Sequence, residues 1–239
     1  MGDLFASVVY RPGIDPKSGI HFSGGVLVGG RSRRMGFPKS RILLDGETLL
    51  HRQLRLLGEA GASELLVSVN PESPESPPLD LPARIVPDRI RDCGPMSGIE
   101  ALLRASQSPW VAIVAVDLPR LDISFIRDLL RQVTSTSGVI PLHEGRLEPL
   151  CAVYPRGAAV TATQLLEEGR LEATGLAETG IREGWLHPWS IPGNAKEQLT
   201  NWNHPWELAQ IRRNQSSAKQ SQPCESNQGD IPLDRSAPT

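Results

Sequence analysis

An α/β fold, with a mostly parallel twisted sheet and helices on both faces, follows from three observations. Short apolar runs alternate with stretches of helical period, the mark of βαβ units. One run, Trp110–Val116, is continuously apolar and rich in Val and Ile, as expected of a strand buried on both sides. A chain of 239 residues is ample for one such core and short for two ordinary domains.

In order along the chain, residues 1–22 show no period and are broken by Pro12, Gly13, Pro16 and Gly19, so they read as a loose extension. Gly25–Val28 is a first short strand that stops at Gly29-Gly30. Leu50, Leu54 and Leu57 recur at helical spacing and predict an amphipathic helix ending near Gly61. Leu65–Val69 is a second strand, followed by a Pro/Ser/Glu loop over Pro71–Pro82. Ile85-Val86 leads into Pro87-Asp88, and Ser97–Ala105 reads as a helix with Ile99, Leu102 and Leu103 on one face. The Trp110–Val116 strand closes on Asp117 and Pro119. Ile123–Val133 predicts a helix, and Val139–Leu142 and Leu150–Tyr154 predict two further strands. The last residues, Asn214–Thr239, are rich in Ser, Gln, Asn and Pro. They bury too little apolar surface to offset their ordering entropy, so a disordered tail is expected. The working domain is accordingly placed at residues 23–213.

Charge excludes some functions. With 25 Lys+Arg against 27 Asp+Glu, the net charge is −2, whereas a general nucleic-acid binder carries a basic surplus. No segment approaches the roughly 20 apolar residues of a membrane helix, and Phe5–Tyr10 is too short an apolar stretch for a signal peptide. Cys93, Cys151 and Cys224 form no CxxC pair, which suits a reducing cytoplasm. His21, His51, His143, His187 and His204 have no partners at metal-ligand spacing, and no G-x-S-x-G elbow is present.

Open α/β sheets bind ligands beyond the carboxyl ends of their strands, so the polar residues that end the strands carry the argument. The first strand runs into a glycine pair and then a loop, residues 31–41, with five cations (Arg31, Arg33, Arg34, Lys39, Arg41) and no acid. Glycines admit close backbone approach and clustered cations neutralise anionic oxygens, so a polyphosphate fits here; a solvated basic loop would look the same. It is not a P-loop, since Gly30 and Gly36 are one residue too far apart and Lys39 does not adjoin the glycine, and G-x-G-x-x-G is absent from this turn. Asp117 could hold Mg²⁺ or cap a following helix. Asp88 could face a ligand or pair with Arg89 or Arg91. Gly94-Pro95-Met96-Ser97-Gly98 opens a helix whose N–H groups could meet a ligand, with Ser97 as the alternative cap.

Taken together, these residues resemble the nucleotidyltransferases of molybdenum-cofactor biosynthesis, most closely the molybdenum-cofactor guanylyltransferases. The opening signature stands as Leu27-Val28-Gly29-Gly30-Arg31-Ser32-Arg33-Arg34-Met35-Gly36-Phe37-Pro38-Lys39. The family's helix start is similar to Gly94-Pro95-Met96-Ser97-Gly98-Ile99, its strand-end aspartate motif to Val116-Asp117-Leu118-Pro119, and its closing Asn-x-Asn motif to Asn201-Trp202-Asn203-His204-Pro205-Trp206-Glu207-Leu208. The resemblance covers about residues 24–213. It implies a Rossmann-like three-layer nucleotidyltransferase fold that transfers GMP from GTP to the phosphate of molybdopterin-type cofactor. By motif position, Leu27, Val28, Gly29 and Gly30 contact the nucleotide, and Lys39 and Arg34 meet the phosphates. Asp88 sits near base and ribose, Asp117 ligates Mg²⁺, and Gly94, Gly98, Asn201 and Asn203 line the remaining pocket. Pro38 stands where guanylyl members often carry Asp, and Pro-Lys there is common in cytidylyl relatives. Cytidylyl transfer to the same cofactor, sugar-phosphate nucleotidyl transfer and a catalytically silent cofactor-binding role are the alternatives. The implied partners are GTP, the cofactor, and molybdoenzymes or their chaperones.

Overall fold

Helices cover both faces of the central strands, which is why those strands are almost wholly apolar, with Ser23 and Ser68 the buried polar exceptions. The structure, a computed structural model, describes residues 19–28, 39–71, 81–90 and 93–200. All lie in one unit, Met1–Asn203; a second unit, His204–Thr239, lies outside the described residues. The expected extension up to residue 18 and the expected tail lie outside them as well.

In chain order the elements are β1 (Phe22–Leu27), β2 (Leu43–Leu44), β3 (Glu47–Thr48), α1 (Leu49–Glu59), β4 (Leu65–Val69), β5 (Arg84–Pro87), α2 (Gly94–Ala105) and β6 (Trp110–Ala115). They continue with α3 (Ile123–Gln132), β7 (Gly138–His143), β8 (Arg146–Leu147), β9 (Cys151–Pro155), α4 (Ala158–Glu167), α5 (Ala173–Glu183) and β10 (Leu186–Ser190). The main sheet has the order β10-β7-β9-β6-β1-β4-β5, with β8 hairpinned onto β7. β1 pairs in parallel with β4 and β6, as do β4 with β5 and β7 with β10. Only β9 and the small β8 run against their neighbours. β2 and β3 form a separate hairpin, turned by Asp45 (φ 52°) and Gly46 (φ 86°). Positive φ at both turn positions matches the right-handed twist of the flanking strands.

The strands feed two cores by alternation, broken only near the end of β6, where Ala115 joins the same core as Val114 and Val116. Val26 of β1 and Val114 of β6 join α1 and α3 on one face; Leu27 and Ile113 join α2, α4 and α5 on the other. Leu50, Leu54 and Leu57 of α1 are wholly buried, each worth about 1.5–3 kcal/mol of transfer free energy. Thr48 starts that helix, its Oγ1 accepting the His51 N–H.

The structure extends some expected elements and adds others. α2 begins at Gly94, three residues before the expected Ser97. Beyond Tyr154, α4, α5 and β10 were not expected, and their composition explains why. α4 buries Ala158, Ala159 and Ala162 and reaches large apolar side chains only at Leu165 and Leu166, α5 contains Gly175 and Gly180, and β10 contains Pro188. β10 tolerates that proline because it is an edge strand.

Candidate functional site

β1, β4, β5 and β6 run in one direction, so Leu27-Val28, Val69-Asn70, Pro87-Asp88 and Val116-Asp117 all emerge at the same carboxyl edge. β4 and β5 lie to one side of β1 and β6 to the other. The β1–β6 boundary is therefore the topological switch point, where open α/β sheets take their ligands. The ladder runs one step past the strands. Val116 N donates to Leu27 O (3.1 Å), Val28 N to Ser68 O (3.2 Å) and Asp88 N to Val69 O (2.9 Å). The Leu27 carbonyl and the Val28 N–H are thereby occupied, and the two side chains are buried in opposite cores.

The start of α2 closes over these ends. Gly94 adopts φ +61°, which glycine tolerates. Cys93 precedes the helix without a side-chain capping bond, and proline stands in the first turn. A Cβ added at Gly98 would lie 2.5 Å from Ser68 Oγ and 2.7 Å from Leu27 Cδ2, so nothing larger than glycine fits while α2 sits this close to β1 and β4. Ser97 is not the cap: it lies inside the helix and donates to Ile90 O at 2.6 Å, tying the loop after β5 to α2.

Ser68 is buried at the end of β4 and donates to Asp88 Oδ1 at 2.6 Å. Burial pushes the Asp88 carboxyl above its ordinary range, Ser68 pulls it back down, and the negative charge of Glu100 raises it further. Asp88 thus pairs with a serine, not with Arg89, which bonds Glu100 instead; Arg91 lies outside the described residues. Sequence reasoning passed over Ser68, although a lone hydroxyl in the apolar run Leu65–Val69 was the available signal.

Asp117 is half-buried in the turn that follows β6. It does not cap α3; that role belongs to Asp122, whose Oδ1 accepts the Phe125 N–H at 2.9 Å. The turn is held from α1 by Gln53 Nε2, which donates to Leu118 O (2.7 Å), and by Arg52, which donates to Pro119 O and Leu121 O (both 3.1 Å). From the other side, Arg120 pairs with Glu197 at 2.6 Å, and Asp122 N donates to Gln198 Oε1 at 3.2 Å. Five anchors over five residues fix where this carboxylate emerges.

Of the expected site residues, Leu27, Val28, Asp88, Gly94, Gly98 and Asp117 all lie at this edge. Gly29, Gly30, Arg34, Asn201 and Asn203 lie outside the described residues, as does the side chain of Lys39, whose backbone begins a 3-10 turn over Lys39–Arg41. Among the described residues no three His, Cys, Asp or Glu side chains gather to hold a metal, and no helix is long and apolar enough to cross a membrane.

Residues 24–179 match the family described as the MobA-like NTP transferase domain. The chain is 34% identical to a probable molybdenum cofactor guanylyltransferase of Opitutus terrae over 194 residues, which is 80% of this chain and 95% of that protein. It is 32% identical to another of that name from Chloroflexus aggregans over 200 residues, covering 80% and 93% of the two chains. Its fold is similar to that of the molybdopterin-guanine dinucleotide biosynthesis protein A of Archaeoglobus fulgidus, with a TM-score of 0.64 at 21% identity over 82% of this chain and 99% of the other.

Proposed function

Because the chain belongs to the MobA-like NTP transferase family, we propose that it transfers GMP from GTP to the phosphate of molybdopterin-type cofactor, forming the guanine dinucleotide cofactor and pyrophosphate. The observation that carries this reading is the emergence of two carboxylates, Asp88 and Asp117, on opposite sides of β1 at one sheet edge. One side serves the nucleoside and the other the triphosphate and the incoming phosphate.

In the reaction, an oxygen of the acceptor phosphate bonds to the α-phosphorus of GTP while the bond to the bridging oxygen breaks, and pyrophosphate leaves with that electron pair. No side chain needs to remove a proton, because a phosphate monoester with a second pKa of about 6 is already largely dianionic at neutral pH. What the protein supplies is alignment and charge neutralisation, the terms that dominate phosphoryl chemistry. Asp88, held by Ser68, orients base and ribose. Gly94 and Gly98 let α2 approach, and Leu27, Val28, Gly29 and Gly30 form the floor. Lys39 and Arg34 neutralise the polyphosphate, and Asn201 and Asn203 complete the pocket. Mg²⁺ is usually held by one or two carboxylates plus substrate phosphates rather than by an all-protein cage. A single firmly anchored Asp117 fits that mode, and the ion when bound would supply positive charge to the phosphate oxygens. The reading places the reaction in the cytoplasm, with the product passing to molybdoenzymes or their chaperones, and residues 23–213 as the catalytic domain.

Pyrophosphate release with GTP, CTP and UTP, each with Mg²⁺ and a molybdopterin-type acceptor, tests the proposal. GTP is expected to be preferred. Preference for CTP would identify a cytidylyltransferase, and cofactor binding without release from any nucleotide would identify a silent carrier.

A further inference from the structure

Glu100 is the only buried acidic side chain among the described residues. It lies on α2, one half-turn beyond Gly98. Its Oε1 accepts from Arg89 Nη1 at 2.9 Å and from Arg104 Nε, and Thr163 Oγ1 of α4 lies 3.0 Å away. Arg104 Nη2 also donates to Thr163 Oγ1 at 2.9 Å. Its other oxygen, Oε2, is buried without a hydrogen-bond partner. Arg104 and Thr163 suffice to join α2 to α4. Arg89 adds nothing to that joint, since it comes from the loop after β5 and directly follows Asp88.

Asp88 has one oxygen, Oδ1, bonded to Ser68, and no described group hydrogen-bonds to Oδ2. The long side chain of Arg89 begins one residue from this carboxylate and can reach it by rotating, and guanidinium and carboxylate match geometrically. Here Arg89 is turned away, onto a carboxylate that is 1% exposed while Arg89 itself is 57% exposed. A charge pair is stronger where water is excluded, so Glu100 wins the competition. We infer that Glu100 is a positioning residue for nucleotide binding: it captures Arg89 against α2 and so keeps the outer oxygen of Asp88 open for the N–H or hydroxyl donors of a bound nucleoside. The inference rests on the reading of Asp88 as a nucleoside ligand given above. Removing the charge of Glu100 frees Arg89 to cover Asp88, and removing Arg89 as well uncovers it again.

The test is a set of full-length variants, Glu100→Gln, Arg89→Gln, the double variant and Thr163→Val, assayed for pyrophosphate release with the nucleotide varied and for thermal midpoint. Glu100→Gln is expected to raise the nucleotide KM about tenfold, equivalent to about 1.4 kcal/mol, with kcat little changed. Arg89→Gln is expected to behave as wild type, and Arg89→Gln in the Glu100→Gln background to restore most of the lost affinity. Thr163→Val should lower the midpoint without moving KM. An unchanged KM in Glu100→Gln, or a double variant as impaired as the single, overturns the inference, because a merely structural glutamate is not rescued by deleting its partner. Should Glu100→Gln fail to fold, Glu100→Asp carries the same test: it keeps a charge in the buried site but withdraws the oxygen that Arg89 and Arg104 share by one methylene, and deleting Arg89 in that background should again lower KM. The wild-type arm with GTP, CTP and UTP separates the two ideas. Preference for another nucleotide refutes the guanine reading while the KM ratios for that nucleotide still decide the role of Glu100. Absence of binding to all three by calorimetry overturns both.

Discussion

Replacing Gly98 by alanine probes how tightly α2 seals the carboxyl edge of the sheet. The new Cβ would start 2.5 Å from Ser68 Oγ and 2.7 Å from Leu27 Cδ2, where ordinary van der Waals contact begins near 3.4 Å. Neither neighbour can retreat easily. Ser68 is committed to Asp88, and Leu27 belongs to the central strand, its carbonyl bonded to Val116. Helix α2 must therefore shift outward. Overpacking of this kind costs about 1–3 kcal/mol, against about 1 kcal/mol gained by replacing glycine with alanine inside a helix. A net loss of about 0–2 kcal/mol follows, which for a chain of this size lowers Tm by up to roughly 8 °C. Gly175→Ala in α5 is the matched control: its nearest neighbour is Arg170 Nη2 at 3.8 Å, so only the helix gain, up to about 1 kcal/mol, remains. Thermal unfolding of both variants, with KM for GTP, makes the comparison. Gly98→Ala should melt lower and bind nucleotide more weakly, and Gly175→Ala should melt higher with KM unchanged. If Gly98→Ala is as stabilising as Gly175→Ala, α2 is not held against β1 and β4 and the sealed-edge argument fails.

Asp88→Asn should exchange function for stability. Burial, only partly opposed by Ser68, raises the folded-state pKa of Asp88 above its ordinary 3.8, so the ionised form is disfavoured in the fold. That cost is absent below 3.8 and grows as pH rises through the folded-state pKa. The asparagine variant is thus expected to be more stable than wild type at pH 7, with the advantage fading as the pH is lowered towards 3.8, and to show a higher KM for GTP. Chemical denaturation across that range checks the sign, and a destabilised variant at pH 7 contradicts it. Asp117→Ala should abolish pyrophosphate release while leaving Tm nearly unchanged, since the turn is anchored through its neighbours; retained Mg²⁺-dependent turnover would remove the carboxylate from the proposed metal site. Lys39→Ala should reduce kcat/KM for GTP at least tenfold, about 1.4 kcal/mol, and an unchanged value would mean that the basic loop is only a solvated surface.

The parts legible in the sequence are those where one residue type answers to one force. Leu65–Val69 is a strand over those very residues, and Leu50, Leu54 and Leu57 mark the buried stripe of α1. α4 was hard to read because its first turns bury only Ala158, Ala159 and Ala162, small side chains of little contrast, and large apolar residues enter only at Leu165 and Leu166. At the site, Asp88 and Asp117 were legible as strand-end carboxylates, but their partners were not. Capping of α3 depends on where the chain turns after Pro119, which local sequence leaves open between Asp117 and Asp122. Glu100 was hidden more deeply, because its partners Arg89 and Thr163 lie in other elements and meet it only through the tertiary fold.

The reversed strand β9 makes the two halves of the rim unequal in construction. Because it runs against β6 and β7, the chain returns from β7 through the β8 hairpin, turning at Glu144 and Gly145, to start again at the ligand-bearing edge. One half of the rim is therefore a short turn held by local hydrogen bonds and one ion pair, Glu144 with Lys196, while the other half is built from parallel strand ends and a helix start locked into two cores. Lengthening the turn alters one wall of the cleft without moving a bond between β1 and β6.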